Sequence, residues 1–98
     1  MTNADFHKEL QELAVSFISD YNSNNSWGFG GAYGSVYTFK TFRVMVATAC
    51  YRHTPSTKFI KIYSEDEGTI YDHKNCTATR GYALQIIKER INSEQSTK

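Results

Sequence analysis

The chain has 98 residues, of which 40% are hydrophobic and 14% aromatic, and its formal net charge at pH 7 is +1. This length supports one hydrophobic core, because a second core would have too little apolar surface to offset the entropy of ordering its backbone. The composition excludes a low-complexity or disordered chain, and the near-neutral charge disfavours an acidic nucleic-acid mimic and a strongly basic DNA-coating protein. We therefore expect one domain over residues 1–92, followed by a frayed polar tail over residues 93–98.

The sequence shows no signal for export or membrane insertion. Its first ten residues lack a basic start followed by an apolar run, and no stretch reaches the ~18 consecutive apolar residues of a membrane span. We expect a cytoplasmic location and no membrane partner. Because the cytosol is reducing, Cys50 and Cys76 are expected to be free thiols.

The first predicted element is a helix over residues 3–21, which Thr2 or Asn3 can cap. Its apolar residues recur at the spacing of one helical face: Phe6, Leu10, Leu13, Phe17, Ile18 and Tyr21. Residues 22–35 are rich in Asn, Ser and Gly, which favour turns. This stretch is predicted to be a loop that ends the helix.

A β-hairpin is predicted in the middle of the chain. Residues 36–52 are dense in β-branched and aromatic side chains, a turn is predicted at residues 54–56, and residues 58–64 resume the strand composition. So long a first strand would exceed the usual 3 to 10 residues, so we expect a break at residues 40–42. With a short last strand over residues 69–73, the pattern predicts an antiparallel meander of three or four strands.

A second helix is predicted to begin after Asn75 or Thr77. Its apolar stripe consists of Ala83, Ile86, Ile87 and Ile91. The order of one helix, three or four strands and one helix predicts an α+β two-layer sandwich in which both helices cover the same face of the sheet. The opposite face of the sheet is then the candidate functional surface.

Strand alternation predicts which residues share that opposite face. The predicted members with a binding role are Arg43, Tyr51, Phe59, Lys61 and Tyr63. The middle of the sheet is locally basic, since no acidic residue occurs between Asp20 and Glu65. Aromatic rings beside cations are typical of surfaces that bind RNA or single-stranded nucleic acid. A mixed apolar and polar face is more often a protein interface, including that of a homodimer, and this is the favoured interpretation.

The cysteines and histidines form a second candidate site. Cys50 and His53 are spaced C-x2-H, and His73 and Cys76 are spaced H-x2-C. Zinc sites use thiolate and imidazole ligands at such spacing, so a structural zinc site is one interpretation of the pattern. Coincidence is the favoured interpretation, because many spacings of Cys and His would look notable and the glycine that usually follows a zinc-ribbon knuckle is absent.

A glycine-rich stretch over residues 28–34 does not fit a phosphate-binding loop. Tyr33 occupies the third glycine position of G-x-G-x-x-G, no strand is predicted before the stretch, and no helix is predicted after it. We expect a turn-rich loop in which Trp27, Phe29 and Tyr33 are apolar anchors and further candidate binding residues.

No combination of nucleophile, base and orienting acid, and no carboxylate pair, indicates catalysis. We expect no enzymatic activity and, apart from the zinc, no cofactor. The profile predicts a small protein that occupies a surface of another protein or protein complex, of the accessory or inhibitor type that phages and mobile elements encode. A nucleic-acid-binding module and a zinc-stabilised domain are the alternatives.

Overall fold

The computed structural model describes the backbone of residues 1–24, 31–50 and 57–96, and the side chains of residues 1–21, 32–49 and 57–94. The elements in chain order are α1 (Asn3–Leu13), β1 (Ser16–Asn24), β2 (Gly31–Thr38), β3 (Arg43–Cys50), β4 (Thr57–Ser64), β5 (Gly68–Lys74) and α2 (Thr77–Ser96). The fold is therefore α+β, as predicted. Neither helix in these ranges has the length and apolar composition needed to cross a bilayer.

The predicted helix over residues 3–21 is too long. The helix ends at Leu13, because Ala14 adopts an extended backbone at φ −75° and ψ 150° while its N–H still bonds to the carbonyl of Leu10. The next residues, 15–18, are Val-Ser-Phe-Ile. β-Branched and aromatic side chains lose rotamer freedom in a helix and pack well in a strand, so this segment forms β1.

The sheet has five strands rather than the three or four predicted. They are antiparallel and lie in the order β1-β2-β3-β4-β5, so the predicted meander is confirmed. The strand that was not predicted is β1, which lies in residues predicted as the end of the first helix and the start of the loop 22–35. The first part of β2 also lies in that predicted loop. The predicted break at residues 40–42 is confirmed as a turn, in which Phe39 N–H donates to Phe42 O at 2.9 Å. The predicted turn at residues 54–56 lies outside the described residues.

Gly34 allows β2 and β3 to approach closely. A Cβ atom on Gly34 would lie 2.4 Å from the carbonyl oxygen of Val46 and 2.6 Å from the Cα of Ala47. Both neighbours are backbone atoms, so they cannot rotate away as a side chain would. The φ of Gly34 is +156°, which side-chain-bearing residues rarely adopt. Glycine is therefore required here by both space and conformation.

One buried cluster forms the core. Helix α1 contributes Phe6 and Leu10, and helix α2 contributes Ala83, Leu84 and Ile87. The sheet contributes Tyr37, Val44, Val46, Ile60, Ile62 and Tyr71, and the β2–β3 turn contributes Phe39 and Phe42. The predicted burial of Val46 and Ile62 is confirmed, since they are 5% and 0% exposed.

Helix α2 is held to the sheet at both ends. At its start, the Thr79 hydroxyl donates to the carbonyl of Lys74 at 2.6 Å. Near its end, Glu94 accepts from the N–H of Thr41 at 3.0 Å. Arg90 forms a 2.6 Å ion pair with Glu67 in the β4–β5 turn. The helix continues to Ser96, into the segment predicted to be a frayed tail.

Candidate binding surface

The side of the sheet that faces away from the buried cluster is the candidate binding surface, and we call it the outer face. Because strand residues alternate, its members lie between the core positions, and residues paired across strands share the same side. Its cross-strand rows are Ser16, Thr38, Arg43 and Tyr63; Ile18, Val36, Met45, Lys61 and Asp72; and Tyr21, Gly34, Ala47, Phe59 and Lys74.

The strand register brings four of the predicted binding residues together on this face. Arg43 lies directly opposite Tyr63, and Lys61 and Phe59 follow on the same strand as Tyr63. The Nζ of Lys61 lies 5.8 Å from the centroid of the Tyr63 ring. Arg43 is exposed, and the other three side chains are half-buried. The fifth predicted member, Tyr51, lies outside the described residues.

The three aromatic residues predicted for the loop do not add to the outer face. Trp27 and Phe29 lie outside the described residues. Tyr33 belongs to β2 and lies opposite Thr48, in line with the core positions and not with Arg43. It is nevertheless 51% exposed. The prediction that Tyr33 lies in a loop was wrong, because β2 begins at Gly31 and pairs along its length with β3.

Two apolar residues of the outer face, Ile18 and Val36, were missed by the sequence prediction. Ile18 is 54% exposed, and Val36 and Ala47 are buried among their neighbours although they lie outside the core cluster. Ile18 was missed because β1 was predicted as helix. The Val-Ser-Phe-Ile run was the available signal, since it has β-branched and aromatic residues at adjacent positions. The outer face is thus more apolar than predicted.

Charge on the outer face is asymmetric. Arg43, Lys61 and Lys74 lie on β3, β4 and β5, and Asp72 lies next to Lys61 across β4 and β5. The apolar residues of this face lie instead toward β1, as in the row of Ile18, Val36 and Met45. An open cleft of about 390 Å³ adjoins the Arg43 end and is lined by both turns at that end, including Lys40 and Asp66. The surface therefore has an apolar part and a neighbouring cationic part.

The predicted zinc ligands are only partly described. His73 lies near the end of β5, Cys76 lies between β5 and α2, and both are exposed. His73 is in the same cross-strand row as Val46, whereas Cys50 lies further along β3, roughly 13 Å from that row. His53 lies outside the described residues. Within the described residues no group of three possible metal ligands occurs. The zinc site stays a prediction, which elemental analysis and melting with EDTA would test.

Cys76 has a distinct thiol chemistry. The Thr79 hydroxyl lies 3.5 Å from the Cys76 Sγ, and hydrogen bonding with the side chain and backbone of Thr79, with a smaller contribution from the positive charge of Arg80, lowers the pKa of the thiol below its usual value. A lowered pKa increases the fraction of reactive thiolate. Among the residues that the structure describes, no hydrogen bond joins this thiol to a base or an orienting acid of the kind that activates a nucleophile.

The described fold is a small α+β domain built on a five-stranded antiparallel meander with two helices. No protein-family model matches the chain, and neither a curated protein nor a solved structure is detectably similar to it. Its function is therefore inferred from the surface itself.

Proposed function

We propose that this chain is a non-enzymatic binding protein that uses the outer face to occupy a surface of another protein, as small accessory and inhibitor proteins do. The observation that carries the proposal is the apolar row across that face, formed by Ile18, Val36 and Met45. An antiparallel sheet with one solvated face normally has polar residues there. Within this row Ile18 is 54% exposed and Met45 is half-buried, whereas Val36 is covered by its neighbours. Exposed apolar side chains such as Ile18 are instead typical of an interaction surface.

The packing of the helices supports an open outer face. The buried residues of α1 and α2 join one cluster with core positions of the sheet such as Val44 and Ile60. We propose that both helices pack on this core face, so that neither covers the outer face. Burying the exposed parts of Ile18 and Met45 against a partner would remove them from water, which contributes about 25 cal/mol per Å² of apolar surface.

The chemistry of the outer face favours a protein partner over nucleic acid. Aliphatic residues such as Ile18, Val36 and Met45 offer no ring for base stacking and no charge for phosphate. Lys61 and Tyr63 favour the second candidate, RNA or single-stranded DNA, because a ring beside a cation binds a base and its phosphate together. Exposed Arg43 could neutralise a further phosphate.

Site-specific photocrosslinking in the native cells tests the protein proposal. A photoreactive amino acid is placed at Met45, and a matched probe is placed at Tyr82, an exposed aromatic residue on α2. We expect one partner protein to crosslink at position 45 and not at 82. With the identified partner, Phe59→Ala should weaken binding by on the order of 2 kcal/mol, and Lys74→Ala much less, because central aromatic residues dominate interfaces.

Titration with fluorescent RNA and single-stranded DNA tests the second candidate. If phosphates bind the outer face, affinity falls steeply with salt, and Arg43→Ala and Lys61→Ala each reduce that slope by about one. Absence of binding at low salt excludes nucleic acid as the ligand.

Equal crosslinking at positions 45 and 82, or a partner that binds the Phe59→Ala variant normally, contradicts the protein proposal.

A further inference from the structure

Strand β1 is an exposed edge of the sheet. It pairs with β2 on one side and has no strand on its other side within the described ranges. Every residue from 15 to 20 is exposed. Three of these are apolar, and their exposed fractions are 77% for Val15, 46% for Phe17 and 54% for Ile18. An exposed apolar edge strand presents unpaired backbone groups and is a template for adding another strand.

The opposite edge of the sheet differs in chemistry. Strand β5 presents Asp72, His73 and Lys74 as consecutive exposed residues. Charged side chains on an edge strand oppose the addition of another strand. On β1, the charged residue is Asp20, which lies in the irregularity of register between Ile18 and Tyr21. The regular part of β1 before this irregularity is therefore uncharged, and it is the edge suited to pairing.

We infer that β1 pairs antiparallel with β1 of a second copy of this chain, so that one sheet runs through both copies. In such a ladder, directly opposed residues lie on the same face of the sheet. A two-fold axis through Phe17 meets this condition, because it places Phe17 opposite Phe17 of the second copy and Ile18 opposite Ser16 of the second copy. Pairings shifted by one residue would place outer-face residues opposite core-face residues. An axis through Ser16 or Ile18 also keeps the faces matched, but it does not place the two Phe17 side chains directly opposite each other.

The segment is self-complementary in this register. Phe17 lies on the core face, where its ring stacks on Tyr37 at a centroid distance of 5.7 Å. The symmetric ladder brings the two Phe17 side chains together, and aromatic cross-strand pairs stabilise a sheet. The two Asp20 carboxylates lie roughly 20 Å apart along the ladder, so they do not repel at close range. A second copy therefore satisfies the apolar, hydrogen-bonding and charge requirements of this edge.

The inference does not depend on the proposed partner of the outer face. The two-fold axis would run perpendicular to the sheet, so both outer faces would lie on the same side of the dimer. Because the paired segment is short, we expect a concentration-dependent dimer rather than an obligate one. The state of association is measured on the purified chain without any partner, so this test and the crosslinking test fail independently.

Sedimentation velocity over a wide range of concentration tests the dimer. The informative variant is Ile18→Lys, which adds a charge at the exposed edge, and the matched control is Thr69→Lys on β5. We expect a monomer–dimer equilibrium for the unmodified chain and for Thr69→Lys. The dimer dissociation constant of Ile18→Lys should rise at least about tenfold. Circular dichroism and melting confirm that both variants are folded.

Disulfide crosslinking tests the register. Cβ atoms of directly opposed residues lie about 4.5–5.5 Å apart, close to the spacing of a disulfide. Phe17→Cys should therefore form a covalent dimer through position 17 under mild oxidation, identified by peptide mass spectrometry, and Ser16→Cys should form far less through position 16. A monomer at every concentration, an unchanged dissociation constant in Ile18→Lys, or equal crosslinking at positions 16 and 17 would overturn the inference.

Discussion

The two faces of the sheet are built from the same strands but have opposite environments. On β3 and β4, the core-face residues Val44, Ile60 and Ile62 are fully buried. On the outer face of the same strands Ala47 is also buried, but most of the alternating residues are half-buried or exposed: Arg43, Met45, Phe59, Lys61 and Tyr63. Adjacent residues of one strand thus have different roles. The core face stabilises the fold, and we propose that the outer face binds a partner.

The largest expected difference between the faces is in stability. Ile62→Ala should lower the free energy of unfolding by about 2–5 kcal/mol, because it removes buried methyl groups and leaves a cavity in the core. Lys61→Ala, one residue away on the outer face, should change it by less than about 1 kcal/mol. Urea denaturation of both variants measures the difference. Similar losses of stability in the two variants would show that Ile62 and Lys61 have been assigned to the wrong faces of the sheet.

Gly34 is an exception to the rule that outer-face residues contribute little to stability. It lies in an outer-face row, but its backbone packs closely against β3. Gly34→Ala should destabilise the fold by about 1–3 kcal/mol, since the added Cβ meets atoms that cannot move aside. Gly81→Ala is the matched control. Gly81 lies in α2 with open space around its Cβ position, so alanine there should stabilise the fold by about 0.5–1 kcal/mol. Thermal melting of both variants gives the sign directly, and a stabilised Gly34→Ala would contradict the close approach.

The sequence predicted the parts of the fold that are marked by local patterns. The alternation from residue 43 onward placed Val44 and Val46 on one side and Arg43 on the other, and the helical stripe located Ala83 and Ile87, which are fully buried. The shift in alternation near residues 40–42 marked the β2–β3 turn. Each of these signals is contained in a short window of sequence, which is why it was sufficient.

The sequence did not predict β1, and with it the edge of the outer face that contains Ile18. Leu10, Leu13 and Phe17 continue a helical spacing by chance, and this outweighed the β-branched composition of the segment. What makes β1 a strand is its pairing with β2, a contact between residues distant in the chain. Local propensity cannot reveal such a contact. The close packing of Gly34 on β3 likewise became visible only when the register was known.

The contact between α1 and the core face contains a titratable pair. The Nδ1 of His7 lies 2.5 Å from the hydroxyl of Tyr37, and their ring centroids are 5.8 Å apart. Burial, with a smaller contribution from the positive charge of Arg80, lowers the pKa of His7 below 6.5. Burial also raises the pKa of the Tyr37 hydroxyl, so this group stays protonated near neutral pH. Tyr37 can then donate its proton to neutral Nδ1.

The smallest expected effect is a pH dependence of stability that arises from this pair. Below about pH 6.5 the unfolded chain protonates His7 more readily than the folded chain does, so the free energy of unfolding falls as pH is lowered from 7.5 to 5.5. The effect should be modest, because His7 is only half-buried. His7→Asn should flatten the slope in urea denaturation, whereas His73→Asn, which changes an exposed residue on β5, should retain it because His7 is still present. The carboxylate of Glu67, whose pKa is lowered by its hydrogen bond to Arg90, titrates below this range and does not obscure it. An unchanged slope in His7→Asn would show that the contact between α1 and the core face does not depend on the charge of this histidine.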